Sequence, residues 1–256
     1  MMLLECDMSA ADGYKSQLQI ARILSENWME ANGYCLSCDS DRLKRTVANT
    51  KASDFVCDFC SQTYELKAFR RGLPRILPDG AYSALISRIR SGAVPTLLLL
   101  ERNEAWKIQN LTAIHHLFLT PDVIEKRRPL SQSARRAGWV GCKIRLDLIA
   151  PDARIDIVRN RVPIDPSDVR AGFQRFNRLK DIAPDSRGWT TLTLRVVRGL
   201  KESVFTLREL YQQEQDFAAS YPGNRNIRAK VRQQLQVLRD LGYIEFLGHG
   251  SYRLLL

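Results

Sequence analysis

The chain has 256 residues, enough for one large domain or two modest ones, and we expect two. Its 39 basic and 28 acidic residues give a net charge of +11, which favours a polyanionic partner, either nucleic acid or an anionic membrane surface. The sequence contains no run of about 18 apolar residues and no secretory leader with a basic head, so it argues against a membrane protein and predicts a cytoplasmic one.

The first predicted element is an amphipathic helix. Apolar residues recur there at steps of three and four, as one face of a helix requires. They are Tyr14, Leu18, Ala21, Leu24 and Trp28. The helix is expected to end before Asn32-Gly33, with this apolar face packed in the core.

Two cysteine pairs follow the helix, Cys35-Leu-Ser-Cys38 and Cys57-Asp-Phe-Cys60. Two such pairs at this separation are typical of four thiolates on one zinc ion, in the closed tetrahedral arrangement of a structural site. The alternative is an unrelated set of buried thiols. The other two cysteines, Cys6 and Cys142, are interpreted as ordinary thiols in a reducing compartment, because the pattern suits metal binding better than a disulfide framework.

Acidic residues flank the second cysteine pair. Asp54 precedes it, and Glu65, Leu66 and Lys67 follow it. Residues 63–69 alternate in the manner of a strand, which places Glu65 and Lys67 on the same face. Because the second pair lies in the connection between Asp54 and this strand, the zinc ion is expected to set the distance between the two carboxylates.

Two carboxylates and a lysine suit the hydrolysis of a phosphodiester. Asp54 and Glu65 would hold Mg2+, which prefers oxygen ligands, with the backbone carbonyl of Leu66 as a further ligand. Lys67 would orient or deprotonate the attacking water and stabilise developing charge. Asp followed by Glu-x-Lys is the PD-(D/E)XK nuclease motif, here with Ser53 in place of the common proline; the alternative is a solvated strand face.

Helices and strands are predicted to alternate through the middle of the chain. Residues 70–80 should form a basic loop, and residues 81–90 a helix. Short strands are expected over residues 96–101, 105–108 and 154–158. This alternation predicts an α/β domain.

Prolines and glycines interrupt any regular pattern between Pro163 and Gly188, and we place the linker there. The predicted fold is therefore an α/β PD-(D/E)XK nuclease domain with a structural zinc site over residues 1–183, followed by a winged-helix domain over residues 184–256.

The pattern of the last 70 residues or so is typical of a winged helix-turn-helix. The predicted elements are a helix over residues 189–200, a helix from the capping box Thr206–Glu209 to about Ala218, a helix from near Asn226 to Gly242, and two strands over residues 243–256. For residues 189–200 a strand is the alternative, and we favour the helix because a winged helix needs it.

Segments spread over nearly the whole chain combine in a recognisable way. They are Asp54, the two cysteine pairs, Glu65-Leu-Lys67, Asp79-Gly-Ala-Tyr82, Ala134-Arg-Arg-Ala-Gly-Trp-Val-Gly-Cys142, Ser186-Arg-Gly-Trp189 and Val231-Arg-Gln-Gln-Leu-Gln-Val-Leu-Arg-Asp240. Together they resemble the DpnI-type methyl-directed restriction endonucleases. The resemblance implies a magnesium-dependent type IIM enzyme that cleaves double-stranded DNA at G-A-T-C sites when the adenine is N6-methylated. It also implies that both domains can read the methylated site. Residues 70–78 depart from the family in being richer in proline and arginine.

Candidates for reading bases lie at the N-terminal end of the helix predicted from Asn226, which should enter the major groove. They are Asn224, Arg225, Asn226, Arg228 and Lys230. Asparagine can pair bidentately with adenine and arginine with guanine, so the set suits a site that contains both. Phosphate contacts or solvated side chains are the alternative.

An N6-methyl group is apolar, so sensing it calls for an aromatic or aliphatic surface near the adenine. Trp139, which follows Arg135 and Arg136 in a stretch flanked by glycines, is the candidate, with a core tryptophan as the alternative. The histidines are expected at the surface or in turns. They are His115, His116 and His249.

The expected partner is double-stranded adenine-methylated DNA, bound by a monomer that uses Mg2+ and Zn2+ and needs neither an organic cofactor nor a membrane. A catalytically inactive reader of methylated DNA, or a transcriptional regulator, is the second interpretation; the intact Asp54, Glu65 and Lys67 disfavour it. An RNA-binding zinc-ribbon protein would explain the charge and the cysteines, but not the winged helix.

Overall fold

A computed structural model describes residues 2–47 and 53–256. The chain divides into two compact units built from interleaved segments. Unit 1 comprises Met1–Leu73, Val94–His116 and Arg154–Asn177, and unit 2 comprises Pro74–Ala93, Leu117–Ala153 and Arg178–Leu256. The domain boundary expected between residues 183 and 184 stays a prediction. Among the described residues, no helix is both long and apolar enough to cross a membrane.

The regular elements are numbered in chain order. The helices are α1 (Gln17–Asn32), α2 (Tyr82–Arg90), α3 (Pro166–Gln174), α4 (Pro184–Gly199), α5 (Leu207–Gln212), α6 (Glu214–Ser220) and α7 (Ile227–Asp240). The strands are β1 (Lys44–Arg45), β2 (Phe55–Val56), β3 (Thr63–Phe69), β4 (Ile76–Ala81), β5 (Thr96–Arg102), β6 (Ile108–Ile114), β7 (Ile124–Lys126), β8 (Gly141–Arg145), β9 (Arg154–Arg159), β10 (Val162–Pro163), β11 (Val204–Thr206), β12 (Ile244–Gly248) and β13 (Ser251–Leu254).

Unit 1 is organised around a seven-stranded sheet in the order β1-β2-β3-β5-β6-β9-β10. Strands β3 and β5 run parallel, with Leu66 opposite Leu98, and the other neighbours are antiparallel. Strand β5 is an apolar run buried on both faces, so it forms the centre of the sheet. Helix α1 packs against β3 and helix α3 against β9, and these contacts close the core.

The strand predicted over residues 63–69 is confirmed as β3, and those at residues 96–101 and 154–158 as β5 and β9. The strand predicted over residues 105–108 is wrong. Trp106 lies in a turn with a φ of 58°, and the next strand begins only at Ile108. Asn103 holds this turn, because its side chain accepts a hydrogen bond of 2.9 Å from the backbone N–H of Lys107.

The predicted apolar face of the first helix is only partly right. Leu24 and Trp28 are buried, and Met29 adds to the face. Tyr14 precedes the helix, and Leu18 in its first turn is 84% exposed. The helix therefore packs by its C-terminal half, and its first turn projects beyond the core.

The predicted linker is also partly wrong, because it contains α3. Asp165 caps this helix by accepting a 2.8 Å hydrogen bond from the N–H of Ser167, and Pro166 occupies the first turn, where its missing N–H costs nothing. Val169 and Phe173 are then buried against the sheet. The prolines interpreted as interruptions mark the start of a helix.

Unit 2 contains a three-stranded sheet in the order β4-β8-β7 and the helix α2. The basic loop predicted over residues 70–80 is wrong in its second half, which is strand β4. Pro78 fits there because β4 lies at the edge of its sheet, where a residue without an N–H leaves no ladder bond unmade.

The C-terminal part of unit 2 has the predicted helices and hairpin. Helix α4 confirms the favoured interpretation of residues 189–200, and the capping box of Thr206 and Glu209 is formed. The helix expected to reach Ala218 is broken at Gln213 into α5 and α6. Helix α7 is followed by the hairpin of β12 and β13, which β11 extends to three strands in the order β11-β13-β12.

Candidate functional site

The four predicted cysteines come together in unit 1. The Sγ atoms of Cys35, Cys38, Cys57 and Cys60 all lie within 4.8 Å of one another. Cys35 and Cys60 are 3.5 Å apart and Cys38 and Cys57 are 3.6 Å apart, measured between sulfur atoms. Four thiolates about 2.3 Å from a tetrahedral zinc ion would be separated by about 3.8 Å, so this cluster fits zinc.

Without a bound cation, the pKa values of the Cys57 and Cys60 thiols shift in opposite directions. Burial opposes the ionisation of Cys57, but the backbone N–H groups of Cys60 and Phe59 outweigh burial and lower its pKa to about 6. Burial raises the pKa of Cys60 to about 12, and the nearby sulfur atoms of Cys35 and Cys38 add to the rise. A divalent cation held by all four sulfurs would favour the thiolate form of each of them, as expected for a structural metal site.

Asp54 is brought to the strand that carries Glu65 and Lys67. Its backbone N–H donates to the carbonyl of Tyr64 at 2.9 Å, and its Oδ2 accepts a 2.8 Å hydrogen bond from the N–H of Leu66. Leu66 stands between Glu65 and Lys67. Asp54 is therefore held at the edge of β3 with which β2 pairs, next to the residue between Glu65 and Lys67.

Glu65 and Lys67 share a face of β3, and the Lys67 Nζ lies 2.5 Å from Glu65 Oε1. Their side chains are 14% and 26% exposed, so the pair is partly shielded from water. Since the N–H and C=O of a strand residue point to the same edge, the carbonyl of Leu66 faces the edge where Asp54 binds its N–H. Oxygen atoms of Asp54, Glu65 and Leu66 stay the predicted ligands of a hard cation such as Mg2+.

One basic side chain that influences Asp54 electrostatically was not predicted from the sequence. Arg22 of α1 donates to Glu26 at 2.6 Å, and the Glu26 side chain is 14% exposed. The hydrogen bond and charge of Glu26 raise the pKa of Arg22, and the negative charge of Asp54 raises it further. Arg22 is therefore within electrostatic reach of Asp54. No signal in the sequence could have found it, because Arg–Glu pairs four residues apart are common on helix surfaces.

The structure contradicts the predicted position of one histidine and agrees with that of another. The prediction that His115 lies at the surface is wrong, since His115 is fully buried and stacks on Phe173 with ring centroids 4.1 Å apart. His249 does lie in a turn, between β12 and β13, with a φ of 49°. His116 is half-buried in a short 3-10 helix.

In unit 2, Trp139 lies at the end of the loop between β7 and β8 and is half-buried rather than in the core. Its ring covers the backbone of Gly141, where a Cβ would come within 2.8 Å of two ring atoms. The guanidinium of Arg136 lies 4.8 Å from the ring centroid, and Arg135 beside it is exposed. Gly141 therefore lets the indole lie flat beside a cationic group.

The five candidates for base reading lie at the start of α7. Asn224 Oδ1 accepts a 2.7 Å hydrogen bond from the N–H of Asn226, so its side chain also shapes the turn that leads into the helix. Arg228 is held by Glu214 at 2.9 Å and lies 5.2 Å over the Tyr211 ring. Of the remaining two candidates, Arg225 is exposed, and Lys230 is half-buried with its Nζ donating to Gln233 at 2.8 Å.

Comparison with protein families agrees with both parts of the chain. The model of the DpnI, Dam-replacing, family matches residues 2–182. The model of the Dam-replacing HTH domain matches residues 185–254, which include α4 to α7 and the three-stranded sheet. The zinc-fitting cluster, the predicted triad and the helix-turn-helix region all fall within these matches. The chain belongs to the DpnI, Dam-replacing, family.

Proposed function

We propose that the protein is a type IIM restriction endonuclease that cleaves double-stranded DNA at G-A-T-C sites whose adenine carries an N6-methyl group. Membership of the DpnI family supports a nuclease that depends on methylation. In this proposal unit 1 supplies a PD-(D/E)XK active site that uses magnesium, and the HTH region supplies a winged helix that binds DNA.

The observation that carries the proposal is the 2.8 Å hydrogen bond from the N–H of Leu66 to Asp54 Oδ2. It holds the Asp54 carboxylate at the backbone of Leu66, the residue between Glu65 and Lys67. A solvated strand face would not need a carboxylate fixed at this point by a backbone donor. An acid, a second acid and a lysine held together are the groups that phosphodiester hydrolysis requires.

Each residue of the proposed active site then has a chemical role. A magnesium ion, when bound, polarises the phosphorus centre and favours ionisation of the attacking water. Asp54, Glu65 and the Leu66 carbonyl would hold that ion, and Lys67 would orient the water and accept its proton or stabilise the developing charge. Arg22, fixed by Glu26, would meet a phosphate oxygen on the same side as Asp54.

Reading of the site is assigned to unit 2. The start of α7 would enter the major groove, with Asn226 and Arg228 as base contacts and Lys230 as a phosphate contact. Trp139 would lie against the methyl group of the adenine, since a half-buried indole offers the apolar surface that this group needs.

Digestion of two plasmid preparations tests the proposal. One plasmid comes from a host that methylates adenine in G-A-T-C, and the other from a host that does not. We expect cutting of the methylated plasmid alone, in magnesium, and none after chelation with EDTA. Equal cutting of both plasmids would remove the methyl-dependent part of the proposal.

The competing interpretation, an inactive reader of methylated DNA, has a different signature. A reader would shift methylated DNA in a gel without cutting it, in magnesium or in manganese. In that case the assembled triad would be a structural remnant, and the function would be binding alone.

A further inference from the structure

Tyr64 joins the cysteine cluster to the strand that carries Glu65. Its side chain is fully buried. The phenol oxygen lies 3.2 Å from Cys35 Sγ and 2.9 Å from the backbone N of Leu36. Its own backbone carbonyl accepts the 2.9 Å hydrogen bond from the N–H of Asp54.

The direction of these side-chain bonds follows from the donors present. The N–H of Leu36 can only donate, so the phenol oxygen accepts there. A zinc-bound Cys35 is a thiolate without a proton, so the single phenol proton would go to its Sγ and Tyr64 would donate to that sulfur. A donor of this kind suits a metal-bound thiolate and is the usual way in which neighbouring groups orient a metal ligand.

We propose that Tyr64 is a positioning residue that couples the zinc site to the nuclease site, an inference that rests on the proposed function. Strand residues alternate between faces, so anchoring the Tyr64 ring on one face fixes the side of β3 from which Glu65 and Lys67 project. The same residue holds Asp54 through its backbone. Displacement of reacting groups by about 1 Å can cost about a hundredfold in rate, so a fixed strand matters to catalysis.

Tyr34 provides a matched control. It lies beside Cys35 in the sequence, belongs to the same buried cluster and is 8% exposed. Within residues 2–47 and 53–256, its hydroxyl has no hydrogen-bond partner. Tyr64→Phe and Tyr34→Phe therefore each remove one buried hydroxyl while keeping the ring, but only Tyr64→Phe removes a bond to a zinc ligand.

The first measurement uses the full chain with cobalt(II) in place of zinc. A sulfur that loses a hydrogen-bond donor holds its electrons less tightly, so its charge-transfer band should move to longer wavelength. We expect this shift in Tyr64→Phe and an unchanged spectrum in Tyr34→Phe. Equal spectra for wild type and Tyr64→Phe would overturn the proposed bond.

The second measurement compares the carboxylate site. We expect Tyr64→Phe to lower kcat about tenfold, with KM and the affinity for methylated DNA unchanged, because only the reacting groups move. Titration with Mn2+, followed by electron paramagnetic resonance, should show weaker binding in Tyr64→Phe than in Tyr34→Phe. A shifted cobalt band with unaltered kcat and unaltered Mn2+ binding would overturn the coupling. If the wild-type protein cuts no methylated DNA, the proposed function fails, and the Mn2+ titration still decides the inference.

Discussion

Two substitutions can separate the two roles proposed for Asp54. Its charge would bind the catalytic cation, and its Oδ2 accepts the N–H of Leu66. Asp54→Asn removes the charge but keeps an oxygen that can accept this hydrogen bond. Asp54→Ala removes both. We therefore expect both variants to lose cleavage and only Asp54→Ala to lose clear stability.

The sizes of both effects follow from the contacts. A metal ion supplies several kcal/mol to the transition state, so losing its ligand should slow cleavage by at least about a hundredfold. Leaving the N–H of Leu66 without an acceptor costs about 1–3 kcal/mol, and the half-buried position of Leu66 favours the low end. About 1 kcal/mol corresponds to a fall of about 2–4 °C in Tm for a chain of this size.

Single-turnover cleavage of methylated DNA and thermal unfolding measure the two effects. Asp58→Asn is the matched control, because Asp58 lies in the same connection but is exposed and pairs only loosely with Lys44, at 3.6 Å. It should cut and melt as the wild type does. Normal cleavage by Asp54→Asn would show that Asp54 is not a metal ligand. Equal Tm values for Asp54→Asn and Asp54→Ala would refute the role of the hydrogen bond.

Other expectations concern the metal cluster, the missed arginine and an ion pair in unit 2. Cys57→Ser should lower both the zinc content and the Tm, since metal binding contributes to folding. Cys142→Ser lies outside the cluster and should keep the zinc. Atomic absorption and thermal unfolding measure the two variants. Arg22→Ala should slow cleavage about tenfold and reduce the salt dependence of DNA binding. Arg159→Ala, which breaks an ion pair of similar exposure, should do neither. If Arg22→Ala cleaves as fast as the wild type, Arg22 does not belong to the active site. The hydrogen bonds from Arg145 lower the pKa of Asp147. The stabilisation by this pair is therefore present above about pH 4, the ordinary pKa of aspartate, and is lost as the pH falls through the lowered pKa. Asp147→Asn should therefore cost about 1 kcal/mol in urea unfolding at pH 7 and little at pH 2; an equal cost at both would exclude this linkage.

The cysteine cluster and the side of β3 that carries Glu65 and Lys67 could be predicted because their signals are local. Each cysteine pair is fixed by two intervening residues, and the alternation of residues 63–69 places Glu65 and Lys67 on one face whatever surrounds them. The capping box at Thr206 and the helix end near Gly242 have the same local basis. The cysteine cluster, strand β3, the capping box and the helix end were confirmed because short-range chemistry decides them, and the catalytic role of the triad stays a prediction.

Features decided by distant contacts could not be predicted. Leu18 fits the helical periodicity, but the core ends before it, and no short sequence pattern records that. Pro78 looks like a strand breaker until the edge position of β4 is known. Arg22 lies more than 30 residues from Asp54 in sequence, and only the packing of α1 against β3 brings them into electrostatic reach.

The position of the zinc-fitting cluster explains how so short a strand as β2 can support Asp54, the proposed metal ligand. Strand β2 has two residues, with Phe55 opposite Tyr64 and Val56 opposite Thr63, and a pairing of this length is marginal alone. A slip of one residue would place Asp54 beside the wrong face of β3. Cys57 and Cys60 close the turn directly after β2, and a metal held there with Cys35 and Cys38 would prevent that slip. A metal bound by the cluster would therefore fix a register that this short strand pairing cannot fix by itself.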